Sequence, residues 1–290
     1  AVLALAGAAA AWWLTAPDPL RASALDGVSG DAGRGAAVFA AAGCASCHRP
    51  AGAEASEAPV LSGGRGFASG FGTFYAPNIS PSPAGIGDWT DLEIVNAITR
   101  GVSPEGAHYY PAFPYPAYNK AELRDVADLV AFLRTLPPSD AESRAHEVGF
   151  PFGIRRAVGV WKLLFLSDDW VLQGDLAPEV ERGRYLVEAL GHCGECHTAR
   201  NALGGLDRSR WMGGAPNPVG EGRIPNVTPG GLSWSEGEIA AYLATGFTPD
   251  FDVAGGEMAE VIRNISRLTD ADRAAIAAYL KALPAVASEG

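Results

Sequence analysis

Apolar residues recur at helical spacing in two places that mirror one another. Val126, Leu129, Val130 and Leu133 share one helical face, as do Ile276, Tyr279, Leu280 and Leu283. Asp270 and Asp272 put negative charge where the second helix starts, and Pro137 and Pro284 stop both runs directly after a leucine. Between them Ile154, Ala157, Val158, Trp161, Leu164 and Phe165 form a third apolar face, with Arg155, Arg156 and Lys162 elsewhere. That stretch reads as a connecting helix packed on its neighbours, or as a docking surface for a partner subunit or the membrane interface. No segment alternates as a strand would, so the expected fold class is all-α.

The chain opens on AVLALAGAAAAWWL, apolar or small throughout, ahead of Pro17 and Asp18. The run is shorter than the ~20 residues that span a bilayer, and its Trp12-Trp13 pair suits a membrane interface. Residues 1–20 are therefore expected to be a membrane anchor. Ala22-Ser23-Ala24 keeps open the reading of a signal remnant. Either reading exports the chain to an oxidising compartment.

Self-similarity then divides the sequence. GRGAAVFAAAGCASCH answers GRYLVEALGHCGECH, with Cys193 lying 149 residues after Cys44. PNIS from Pro77 answers PNVT from Pro225, Trp89 answers Trp234, and Gly101 and Pro104 answer Gly246 and Pro249. The expected organisation is a module over 28–138, a helical linker over 139–177 and a second module over 178–286.

Composition narrows the chemistry. Of 290 residues, 36 are Gly and 21 are Pro, which implies many turns between short elements and no long sheet. A net charge of -11 argues against nucleic acid and favours partners with a basic face. All 4 cysteines sit in two C-x-x-C-H runs, Cys44-Cys47-His48 and Cys193-Cys196-His197, so none remains for a disulfide or a catalytic thiol. A shared zinc site would leave the adjoining histidines unexplained, and dithiol redox chemistry wants a βαβ setting that is absent. Two covalent haems, each held by two thioethers with His48 or His197 on the iron, account for every residue of both runs.

The sixth iron ligand should differ between modules. The chain has 2 methionines, both in the second half. Met258, 61 residues after His197 and ahead of the last helix, is the expected ligand there, with Met212 a packing residue. The first module has no Met, and His108, 60 residues after His48, is the expected substitute. An open or otherwise filled position is the alternative. His146 and His192 are assigned no metal role. Pro59 is expected to offer its carbonyl to His48, with no proline equivalent in the second module. Asn78, Asn226 and Arg200 are expected to bond haem propionates, and Trp89 and Trp234 to wall the pockets.

PNISPSPAGIGDWTDLEIVNAITRGV, HYYPAFPYPAY, GHCGECHTARNALGGLDRSRW and GEMAEVIRNISRLTDADRAAIAAYLKALP together resemble the cytochrome c family. The likeness is closer to the multihaem cytochrome c subunits of bacterial membrane-bound alcohol, aldehyde and sugar-acid dehydrogenases, and covers the chain from about Gly30 to Pro284. It implies an electron carrier with two covalently bound haem c groups and no catalytic residues of its own. Implied partners are a dehydrogenase catalytic subunit or quinol donor, and a small cytochrome or terminal oxidase as acceptor. The implied location is the periplasmic side of the bacterial inner membrane. Met258 is the ligand such relatives share, whereas they carry Met where this chain has Phe113. That departure keeps a dihaem peroxidase-like enzyme as the rival reading. A thiosulfate-oxidising type with a Cys ligand is excluded by the cysteine count, and no output domain supports a sensor.

Overall fold

A computed structural model describes residues 2–54, 56–217 and 222–288. Helix α1 covers Val2–Leu14. The first module follows as α2 (Ala32–Ala41), α3 (Cys44–His48), strands β1 (Gly66–Ser69) and β2 (Gly72–Tyr75), α4 (Asp91–Arg100), α5 (Tyr115–Tyr118) and α6 (Leu123–Leu133). Helix α7 (Val158–Phe165) lies in the linker. The second module comprises α8 (Pro178–Arg184) running into a π-helical turn at Tyr185–Leu190, then α9 (Gly194–His197), β3 (Ala215–Pro216), β4 (Arg223–Ile224), α10 (Glu236–Thr245), α11 (Gly256–Ile265) and α12 (Asp270–Ala282).

Each module is closed by its first helix crossing its last, and glycine sets the distance. A Cβ on Gly35 would lie 2.0 Å from the Asp128 carbonyl oxygen, and one on Gly183 would lie 1.9 Å from that of Ala275. Backbones this close exclude any side chain, so α2 lies against α6 and α8 against α12. Phe39, Val126, Leu129 and Val130 are buried at the first crossing, each worth roughly 1.5–3 kcal/mol. Val187, Ile276 and Tyr279 are buried at the second.

The middle helices are matched just as closely. Thr90 with Glu93 and Ser235 with Glu238 form capping boxes at the starts of α4 and α10, and left-handed Gly101 and Gly246 end them. Trp89 and Trp234 precede these caps, half-buried against the core, and their backbone carbonyls accept from Arg134 and Lys281. Each thus fixes how the chain enters its helix.

One finding departs from the expected fold. Strand β1 pairs antiparallel with β2, and β3 with β4, in two short hairpins. Four residues or fewer per strand is too short for alternation to register in the sequence. Among the described residues no helix is long and apolar enough to cross a membrane.

Candidate haem-attachment sites

Both C-x-x-C-H runs are single helical turns, so the two thiols and the histidine of each emerge close together. None of the four cysteines is engaged in a disulfide. Burial pushes Cys44 and Cys193 up to about 12 and Cys47 up to about 11, and raises Cys196 as well. The two thiols of each run thus sit in an apolar setting. Among the described residues no group of three or more His, Cys, Asp or Glu is placed to hold a bare metal ion.

The histidines are oriented identically. His48 Nδ1 lies 2.8 Å from the Pro77 carbonyl oxygen, and His197 Nδ1 lies 2.9 Å from that of Pro225. A carbonyl only accepts, so Nδ1 carries the proton and Nε2 keeps its lone pair for iron. Burial lowers the pKa of both rings and keeps them neutral. These contacts correct the assignment of Pro59: the carbonyl comes from the proline of PNIS, and the second module has its counterpart in PNVT.

The adjoining asparagines take a different part from the expected one. Asn78 Nδ2 donates to the Ser139 and Ala141 carbonyls while Oδ1 accepts from Ser80. Asn226 Nδ2 donates to the Val286 carbonyl and the Ser288 hydroxyl while Oδ1 accepts from Thr228. Both amide hydrogens of each are thereby engaged, leaving none for a propionate, and each instead fastens the chain that follows its module's last helix. Arg200 is paired with Glu195, inside the second run, and donates to the Gly204 carbonyl at 2.8 Å.

The two attachment turns meet across the module boundary. The Ala42 carbonyl, just ahead of the first run, accepts from the Tyr118 hydroxyl at 2.8 Å and faces His192 Nε2 at 3.3 Å. Helix α11 reaches the same place. Asn264 donates to the Ser46 hydroxyl at 2.7 Å, and Arg49 pairs with Glu260 at 3.0 Å. Arg65 joins the Ser46 carbonyl, at 2.6 Å, to Glu257, at 2.5 Å. Glu257, one residue before Met258, is thereby tied to the first run through Arg65. No local pattern announces these ties, since Ser46 and Asn264 lie 218 positions apart and Arg49 and Glu260 lie 211 apart.

Met258 stands in the first turn of α11, half-buried against the core. Met212 is buried, and its N–H donates to the Thr198 hydroxyl. His108 occupies a different position from Met258. It pairs with Val102 in a hairpin whose counterpart joins Phe247 and Val253, so His108 matches Val253. The same register matches Phe113 with Met258. Equal counting from the haem histidines misleads because the first module is longer between its histidine and its hairpin. His108 is buried, with Nε2 2.9 Å from the Thr15 carbonyl oxygen and Nδ1 without a partner. Reaching an iron through Nε2 would require that bond to break.

The sequence matches the family model described as Cytochrome c twice, over residues 32–137 and 180–284. It is similar to a protein named diheme cytochrome c-type from Cereibacter sphaeroides, 56% identical over 285 residues that cover 98% of this chain and 96% of the relative. The fructose dehydrogenase cytochrome subunit of Gluconobacter japonicus is 39% identical over 266 residues, 89% of this chain and 53% of the relative. The cytochrome c subunit of the alcohol dehydrogenase (quinone) of Gluconobacter oxydans is 33% identical over 266 residues, 87% and 55% respectively. The chain spans nearly all of the first relative and about half of the other two.

Proposed function

Because the chain belongs to the cytochrome c family and carries two covalently bound haem c groups, we propose that it relays single electrons from a dehydrogenase or quinol donor to a small cytochrome or oxidase. Each haem supplies an iron that cycles between Fe(II) and Fe(III). The protein holds His48 and His197 neutral and oriented, and sets the two attachment turns against each other. That last arrangement carries the proposal, because it provides a short path within one chain. The cytochrome subunits of dehydrogenases among its relatives favour a dehydrogenase as donor. Met258 is the proposed sixth ligand of the second iron.

Attachment to the periplasmic face of the membrane through the N-terminus belongs to the same reading. Trp12, Trp13 and Leu14 are exposed at the end of α1, and Arg156 donates to the Trp12 carbonyl while stacking on its ring. Cell fractionation should recover the protein with membranes. Recovery wholly in the soluble periplasmic fraction would contradict attachment.

A second reading, favoured by Phe113 at the register position of Met258, gives the first iron an exchangeable sixth position and peroxidase-like chemistry. Phenylalanine offers no ligand atom, and His108 Nε2 is held by Thr15. Carbon monoxide and hydrogen peroxide applied to the reduced protein separate the cases. Rapid carbon monoxide binding to half of the haem, unchanged in His108→Ala, shows an exchangeable first iron. Binding that begins only in His108→Ala shows His108 to be the ligand. With ascorbate in excess as electron donor, the relay requires peroxide consumption no faster than in a protein-free control, and sustained haem-dependent consumption would establish the enzyme instead.

A further inference from the structure

The internal duplication provides a comparison within one molecule, and the two hairpins that precede the distal loops differ in one respect. They share backbone geometry bond for bond. Ser103 N–H donates to the Ala107 carbonyl at 2.8 Å where Thr248 donates to Asp252 at 2.9 Å. Tyr109 donates to Gly101 at 2.8 Å where Ala254 donates to Gly246 at 2.8 Å. The first hairpin is covered and the second is bare.

The cover of the first hairpin is α7 with the turn that leads into it. Arg155 Nε donates to the His108 carbonyl at 2.7 Å, and Lys162 Nζ donates to the Arg100 and Gly101 carbonyls at 2.6 and 3.0 Å. Between them lies Gly159, where a Cβ would stand 2.2 Å from the Thr15 carbonyl oxygen and 2.9 Å from the His108 Nε2 that faces it. Spacings of four and three put these residues on one helical face. The cover is thus a helix with a basic residue at each end of its contact and a glycine at the point of closest approach.

On the second hairpin Phe247 is 54%, Phe251 88% and Val253 60% exposed. Phe247 and Phe251 border an open groove of about 510 Å³, lined also by Glu238, Ala241, Thr245, Thr248 and Pro249. Phe251 has φ +65° and stands where the first hairpin has Gly106 at φ +74°. A bulky residue in the left-handed region is strained, and here the ring gains no burial in return. The surroundings are acidic: Glu236, Glu238, Asp250 and Asp252 lie in a stretch with no Lys or Arg between Arg223 and Arg263, while Glu257 and Glu260 in the same stretch are paired with Arg65 and Arg49. An exposed, strained aromatic ring in an acidic setting is what a basic apolar segment would cover.

We propose that the Phe247–Val253 hairpin is the docking site for a basic amphipathic helix of the redox partner, seated as α7 is seated on the first module. This rests on the relay reading and gives it a place, because the hairpin runs directly into the first turn of α11 and Met258. A partner there sits beside the proposed ligand loop of the second iron, at the opposite end of the relay from module one.

The occupant of the first hairpin provides the probe. A fluorescein-labelled peptide of residues 154–166, added to the full haem-loaded protein, should bind with an anisotropy rise that saturates. Phe251→Asp and the pair Asp250→Lys with Asp252→Lys should each weaken binding at least tenfold, and a scrambled peptide should bind as weakly. Phe251→Gly should raise thermal stability, by matching Gly106, while losing affinity, a combination that no general folding defect produces. Equal binding by wild type and Phe251→Gly, or by native and scrambled peptides, would overturn the proposal. Potentiometry on the same samples judges the relay separately: two reversible waves with no site-specific binding reject the docking site alone, and absent waves reject the relay alone.

Discussion

Asn264 of α11 donates to the hydroxyl of Ser46, between the cysteines of the first attachment run, at 2.7 Å. The helix that carries Met258 in one module is therefore held by the haem-binding turn of the other. With Arg65 on Glu257 and Arg49 on Glu260, three side-chain contacts join the modules at the point where an electron would cross.

These ties should make the modules unfold together. Each neutral bond is worth about 0.5–1.5 kcal/mol and a charge-assisted one about 1.5–3, the latter reduced at Arg65 because Glu257 is half exposed. The double variant Arg65→Ala with Asn264→Ala should broaden or split the thermal transition while both haems remain attached. An unaltered single transition would show that other contacts, such as the Tyr185 hydroxyl on Asp125 at 2.6 Å, suffice.

The helix crossing predicts a module-specific failure. Gly183→Ala places a methyl group 1.9 Å from the Ala275 carbonyl oxygen, so α8 must move off α12. Overpacking of this kind costs typically ~1–3 kcal/mol, and more where both partners are backbone. Mass spectrometry of the denatured variant should show chains with one haem accumulating, with the missing group assigned to Cys193 and Cys196 by peptide mapping. Full loading with unchanged stability would show that the crossing tolerates a wider spacing.

Stability should also fall in mild acid through His146. Its Nδ1 accepts from the Tyr75 N–H at 3.1 Å, and burial followed by the charge of Arg155 holds its pKa below the ordinary 6.5. The unfolded chain takes up the proton first, so it binds more protons than the folded chain just below pH 6.5 and stability is lost as pH drops through that range. His146→Gln keeps an acceptor for Tyr75 and removes the titration. The difference in melting temperature between pH 7 and pH 5 should shrink in the variant, and an equal difference would locate the acid sensitivity elsewhere.

What the sequence revealed was whatever repeats along the chain. The duplicated C-x-x-C-H runs, the paired tryptophans and the closing helices were legible because each module states them again. PNIS and PNVT were also visible as a repeat, but the asparagine side chains drew attention away from the proline carbonyls, which no residue type announces. The register of His108 was hidden for a related reason. Counting residues from His48 takes no account of the hairpin register, which alone shows that Phe113 and not His108 answers Met258. Contacts across the module boundary, such as Ser46 with Asn264, join segments unique to each half and leave no local pattern.

The proposed difference between the two iron ligand sets is the centre of the account, because it would give the proposed relay a direction. A thioether ligand favours the reduced iron and raises its potential, and only the second module has a methionine at the distal loop. Potentiometric titration followed in the visible and near-infrared tests this most directly. Wild-type protein should show two one-electron waves, and Met258→Ala should lower the upper wave and abolish the near-infrared sulfur-to-iron band while the lower wave stays in place. If that variant keeps both its band and its upper wave, Met258 is not the ligand and the proposed order of the two haems is wrong.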